Sequence, residues 1–225
     1  MTAERYSRIA EVLKQRQPDL TVVTDFVHKG RNLSAIVRTC DAVGVMTLHS
    51  VSDYPTFRTH TGTTVGAHKW VNTLVYSDIT EPLDKLKNDD FQVVAADISE
   101  NTKDYRDIDY TVPTALVLGA EKYGISSQAR PYIDHSIRVP MAGMVESLNV
   151  SVASAIILSE ARRQRELAGL YEHCRLDSNT YNKMLFEWMQ PLLAKYCQKH
   201  GIAYPDLDED GDVADANWHQ SIAKS

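Results

Sequence analysis

TALVLGAEKYGIS, residues 114–126, passes from six uncharged residues into two glycines that bracket a glutamate. A short uncharged run closed by turn residues is the pattern of a strand buried on both faces. The glycines let the backbone that follows turn tightly and approach a ligand. Outward from this strand the pattern repeats. TVVTDFV (21–27), VMTLHSV (45–51), WVNTLVY (70–76), FQVVAAD (91–97) and HSIRVP (135–140) read as further strands. Leu33, Ile36, Val37, Cys40 and Val43 recur at helical spacing up to Gly44, and residues 80–88, 124–133 and 147–168 carry helical patterns. Strands that alternate with helices need crossover connections, so the spacing predicts an α/β core with a largely parallel sheet over about residues 20–168.

Both flanks read as helical. Residues 1–19 hold Tyr6, Ile9, Val12 and Leu13 at helical spacing, with Arg5, Arg8, Lys14 and Arg16 among them, and Gln17-Pro18 ends the pattern. Residues 169–200 form a C-terminal helical extension with Leu185, Trp188, Met189, Leu192, Leu193 and Tyr196 on one face. Residues 201–225, centred on DLDEDGD, read as a flexible, solvated acidic tail; the closing glutamate and flanking helices of a calcium loop are missing.

Composition narrows the class. The 225 residues are 43% hydrophobic and 24% charged, enough for a core and too apolar for wholesale disorder. No apolar run reaches the roughly 18 residues of a membrane span, and the N-terminus lacks the apolar block of a signal peptide, which points to the cytoplasm. Three cysteines without a C-x-x-C pair, and eight histidines without H-E-x-x-H, predict neither a disulfide framework nor a metal site. The net charge of −6 is concentrated in the last 25 residues, while residues 1–77 and 110–200 are mildly basic, so a nucleic-acid partner stays open.

Three segments place glycines and polar residues where a strand gives way to a helix, the usual ligand position in open α/β sheets. In HKGRNLSAIVRTCDAVG (28–44), Asn32 reads as a helix N-cap beside Lys29 and Arg31, and Arg38 interrupts an apolar helix; cap and phosphate site are equally good readings. In LGAEKYGIS (118–126), Glu121 lies between the glycines, without the Lys-Ser/Thr of a P-loop. In VPMAGMVESLNVSVASAIILSEARRQR (139–165), Ser147 reads as an N-cap, Asn149 starts an apolar helix, and Arg162, Arg163 and Arg165 give it a basic end.

In this order the three segments resemble the motifs of the SPOUT superfamily of methyltransferases, and specifically its SpoU/TrmH branch. Asn32 to Arg38 matches N-x-x-x-x-x-R, LGAEKYG the second motif, and IRVPMAGMVESLNVSVASAI the third. KQRQPDLTVV, FRTHTGTTVGAHKWV, DYRDIDYTVPTALVLGAEK and EARRQRELAGLY extend the likeness to the tRNA guanosine-2'-O-methyltransferases of that branch over about residues 5–190, leaving the acidic tail outside. Gly30-Arg31 stands where relatives often carry Pro-His, and Tyr123 occupies a variable position.

The resemblance implies a deep trefoil knot, a homodimer, S-adenosylmethionine as methyl donor, and methylation of the ribose 2'-OH of guanosine 18 in the D-loop of tRNA. Carried over by motif, Asn32, Arg38, Glu121, Ser147 and Asn149 would serve catalysis. Leu118, Gly119, Val139, Met144 and Leu148 would hold the cofactor. Arg5, Arg8, Arg16, Lys29, Arg31, Arg162, Arg163 and Arg165 would meet tRNA. Ribosomal RNA as the substrate, and a non-catalytic RNA-binding module on the same fold, are the alternatives.

Overall fold

A computed structural model describes residues 2–57, 66–99, 101–215 and 218. Residues 58–65, within the FRTHTGTTVGAHKWV likeness, lie outside them. The chain forms two compact units, Gln17–Glu172 and Met1–Arg16 with His173–Ser225.

The larger unit is a seven-stranded sheet in the order β3-β2-β1-β6-β4-β7-β5, with every pair parallel. The strands are β1 (Leu20–Asp25), β2 (Thr47–Val51), β3 (Asn72–Tyr76), β4 (Gln92–Ala96), β5 (Lys103–Asp104), β6 (Thr114–Gly119) and β7 (His135–Arg138). β6 keeps the bounds that its sequence predicts and lies buried between β1 and β4. The two-residue β5 is too short to leave a period in the sequence.

Strand residues alternate between two apolar layers. Val22, Val94, Leu116 and Leu118 pack with Ile36, Val37 and Cys40 of α2 (Gly30–Ala42) and with Ile157, Leu158 and Ala161 of α4 (Val150–Leu167). Val23, Val93, Ala95, Ala115 and Val117 pack on the opposite face with Leu83 and Leu86 of α3 (Thr80–Asn88). Each fully buried Leu, Ile or Val contributes about 1.5–3 kcal/mol, so the strands that carry the site at their ends are held firmly from both sides.

The helical pattern at 124–133 does not become a helix. Ile125 and Ala129 are buried against the sheet, but the chain between them is a loop that ends in a single 3-10 turn, Arg130–Tyr132, with Pro131 at its start. Two apolar anchors at helical spacing imitate a helix where the backbone only touches down twice.

Arg165, expected to meet tRNA, is buried. Its side chain is 0% exposed and donates to the Asp19 carboxylate at 2.7 Å, to Gln17 Oε1 at 3.0 Å and to the Tyr110, Val112 and Asp19 carbonyls. The five bonds tie the end of α4 to the start of β1 and to the lead-in of β6. A planar guanidinium with five donors can satisfy such a ring of acceptors where lysine cannot.

The smaller unit contains α1 (Ala3–Lys14), α5 (Ser178–Met189) and α6 (Pro191–His200); Pro191 opens α6, so the one apolar helical face predicted for this stretch is two helices. Leu185, Trp188 and Met189 are buried, whereas Leu192 is 83% exposed. Arg16, expected on the RNA-facing side, is instead fully buried with its guanidinium 5.1 Å above the Trp188 ring. Such a contact keeps a cation inside a protein by pairing it with an aromatic face.

Through Asp215 the acidic segment is folded and not a free tail. Tyr204 stacks on Phe186 with centroids 4.5 Å apart, Leu207 and Val213 form an antiparallel bridge, and Gln190 donates to the Gly211 carbonyl at 2.8 Å. Gly211 has φ +78 and lies against Tyr6 and the end of the Met189 side chain, which a β-carbon there would displace. No helix among the described residues is long and apolar enough to cross a membrane.

Candidate active site

The carboxyl ends of β4, β6 and β7 open onto a cavity of about 900 Å³. Ala96 contributes from β4 and Asp97 from just beyond it, Leu118 and Gly119 from β6, Ile137 and Arg138 from β7. The 119–124 loop forms one wall. Ala120 and Gly124 exchange two backbone hydrogen bonds, at 3.1 and 2.8 Å. A β-carbon on Gly119 would overlap the Gly124 carbonyl. That crossing turns the strand end into a tight hairpin-like wall with Glu121 at its tip.

The three sequence motifs meet through side-chain amides. Asn32 Nδ2 donates to Glu121 Oε1 at 2.6 Å, and Asn149 Nδ2 donates to Asn32 Oδ1 at 3.2 Å. Asn149 also caps α4, its Oδ1 accepting from the Ser151 amide at 2.8 Å and from the Ser151 hydroxyl. Two sequence expectations change here. Asn32 is not an N-cap: α2 begins at Gly30 behind Lys29, and Asn32, buried in the first turn, spends its side chain on Glu121 and Asn149. The cap of α4 is Asn149 rather than Ser147, which is exposed and lines the cavity.

Arg38 points elsewhere. Six residues beyond Asn32 on an α-helix is about 120° round the axis, and Arg38 is exposed while Asn32 is buried. It is outside the cavity lining and has no hydrogen bond or ion pair to the described residues. Of the expected cofactor residues, Leu118, Gly119, Val139 and Leu148 line the cavity. Met144 does not: it is 99% exposed, and Met141 takes its place in the wall.

Sequence reasoning missed Asp97 and Arg130. Asp97 Oδ2 accepts from Arg130 at 3.2 Å and both line the cavity. Asp97 lies just past the carboxyl end of a buried strand, which is the signal that could have found it. Lys29, Lys122 and Tyr123 stand at the rim, with the Lys122 ammonium 5.1 Å from the centre of the Tyr123 ring. Tyr123 is 76% exposed and so packs no core.

The remaining basic candidates are on the surface. Arg31 is exposed, and Arg8 sits 3.8 Å from Glu11. Arg5 donates to the Trp188 carbonyl at 3.4 Å. Arg162 donates to the Ala42 carbonyl at 3.2 Å, and Arg163 makes a two-point pair with Glu160 at 2.7 and 2.8 Å. Arg163 is exposed, while Glu160 is largely buried and also accepts from Gln164 at 2.9 Å.

A wholly parallel sheet with a nucleoside-sized cavity at its strand ends, lined by apolar side chains and loop backbone, defines an α/β protein of the nucleotide-cofactor-binding class. The chain belongs to the SpoU rRNA Methylase family: residues 19–159 match that family, and residues 163–216 match its C-terminal region. The second match takes in most of the acidic segment, which therefore belongs to the likeness after all.

The chain is 45% identical over 221 residues to a tRNA (guanosine(18)-2'-O)-methyltransferase of Escherichia coli (strain K12), covering 97% of this chain and 96% of the relative. It superposes on the crystal structure of the A. aeolicus TrmH/SpoU tRNA modifying enzyme with a TM-score of 0.79 and 44% identity, over 82% of this chain and 94% of that one. The SpoU methyltransferase AviRb from Streptomyces viridochromogenes, solved in complex with the cofactor AdoMet, gives 0.61 at 26% identity, over 68% and 62%.

Proposed function

We propose that the protein is a homodimeric, knotted, cytoplasmic tRNA methyltransferase that moves the methyl group of S-adenosylmethionine to the ribose 2'-oxygen of guanosine 18. The observation that carries this reading is the Asn149–Asn32–Glu121 array, which joins all three motifs beside the cavity.

The cavity fits the cofactor on its own chemistry. Val139, Leu148 and Val150, half-buried on the cavity wall, offer apolar surface to a heterocycle, and the 119–124 wall presents backbone groups. When bound, S-adenosylmethionine supplies an electrophilic methyl on a sulfonium. The protein then has to position a ribose hydroxyl, and positioning alone is worth on the order of 7–11 kcal/mol. Ser147 and Asn149, on the cavity wall, are the polar groups that would orient the ribose.

Arg38 brings a planar guanidinium, a fork of five donors, to the exposed side of α2. Its role is to clamp a substrate phosphate and offset the charge that grows on the 2'-oxygen as the hydroxyl proton passes to solvent and S-adenosylhomocysteine departs. Lys29, Arg31, Arg5, Arg8, Arg162 and Arg163 remain the candidates for tRNA phosphates; Arg16 and Arg165 leave that set because both are buried.

The test is incorporation of labelled methyl into unmodified tRNA transcript and into a ribosomal RNA fragment, followed by mapping of the modified nucleotide. Label at the 2'-oxygen of guanosine 18 is expected. Label confined to the ribosomal fragment would overturn the substrate, and no label in either, with no rise in melting temperature on adding S-adenosylhomocysteine, would overturn the activity.

A further inference from the structure

Asp25 ends β1 and is 1% exposed. It lies in register with Gly119, where β6 turns into the cavity wall. Its Oδ2 accepts the Ser126 N–H at 2.7 Å, and Ser126 Oγ accepts the Ala129 N–H at 3.3 Å. The returning end of the wall is therefore tied to the end of β1. Oδ1 has no hydrogen-bond partner among the described residues. Burial pushes the carboxyl above its usual range, and the bond from the Ser126 amide opposes that only in part.

A buried carboxyl with a bare oxygen is a poor choice for packing, because leucine would fill the space without the desolvation cost. The chain that leaves Asp25 is also unusual. Phe26 holds φ +52, a left-handed conformation that side chains disfavour, and it turns the backbone toward Lys29 and α2. Local strain beside an unpaired buried group is expected where geometry serves a site. Asp25 is the junction between the two halves of one contact: its backbone leads to Asn32, and its carboxyl holds the loop that bears Glu121.

We propose that Asp25 is a positioning residue for methyl transfer, fixing the 119–126 wall through Ser126 and so setting Glu121 against Asn32. This rests on the methyltransferase reading above.

The test compares the full-length protein with Asp25→Leu and Asp25→Asn, reading kcat and KM for tRNA, affinity for S-adenosylhomocysteine, and melting temperature. Leucine removes the acceptor and the buried charge together. The expected result is a melting temperature that is unchanged or higher, a kcat at least tenfold lower, and a KM for tRNA within twofold. Asparagine keeps one acceptor and should fall between, with kcat down about threefold.

Wild-type kcat in either variant would overturn the proposal, as would a loss that merely follows a falling melting temperature. Should the leucine variant fail to fold, the asparagine variant decides by the same criteria. A wild-type protein that methylates no RNA would overturn the proposed function instead, and Asp25 would then stand or fall on cofactor affinity, expected to be tenfold weaker with leucine.

Discussion

Asn32 and Glu121, 89 positions apart in the chain, share the 2.6 Å hydrogen bond that brings the first motif onto the second. Asn32 can donate to a carboxylate on one side and accept from Asn149 on the other because an amide carries both functions. An aspartate at position 32 would set two carboxylates face to face. The loss of one charge-assisted bond is worth about 1.5–3 kcal/mol, so Asn32→Asp should lower kcat roughly 10- to 100-fold. Adding Glu121→Gln to it exchanges donor and acceptor and should restore about tenfold of that loss, measured as a double-mutant cycle.

Arg165→Ala should damage the fold and leave RNA affinity alone. Removing one partner of a buried, hydrogen-bonded pair costs about 3–5 kcal/mol, and in a protein of this size that lowers the melting temperature by about 10 °C. Filter binding of tRNA at 20 °C, normalised to the folded fraction, should match wild type. A tenfold weaker complex with an unchanged melting curve would return Arg165 to the RNA surface.

Arg38→Lys has the opposite profile. The side chain is exposed on α2, so melting temperature and S-adenosylhomocysteine binding should stay within error. Lysine keeps the charge and loses the planar two-point grip on phosphate, and kcat should fall by at least tenfold. A lysine enzyme of near-normal rate would remove Arg38 from the mechanism.

Six of the seven strands were legible as short, largely uncharged runs closed by turn residues, β6 most of all, whereas the charged two-residue β5 was not. The three motifs were equally plain as words, but their partners were not. A basic helix end reads the same whether it faces a phosphate or, as Arg165 does, an aspartate 146 positions away. Arg16 likewise finds Trp188 only once the chain has folded. The acidic segment looked solvated because its charges outnumber Tyr204, Leu207 and Val213, the residues that hold it. Such pairings depend on tertiary distance, and local pattern carries no record of it.

His49 gives a pH signature. It lies buried on β2 with Nδ1 3.1 Å from the Tyr76 hydroxyl, and burial, with Lys85 adding to it, lowers its pKa from 6.5 to about 4. Between those values the unfolded chain binds a proton that the native protein refuses, so stability falls as pH drops from 6.5 toward 4. A shift of that size amounts to about 3 kcal/mol at the acid end. His49→Gln should flatten the dependence of the urea midpoint between pH 7 and pH 5; an unchanged slope would clear His49 of the effect.

The sheet order has a consequence for how the chain is made. β6 joins β1 to β4, yet it is the last of those three to leave the ribosome. A nascent chain that stops short of residue 114 therefore holds β1 and β4 with their inner edges bare, which is the template on which chains pair wrongly with one another. The N-terminal half should accumulate as aggregate when expressed alone, and synthesis should pass through a window of chaperone dependence that closes only when the strand leading to Glu121 emerges.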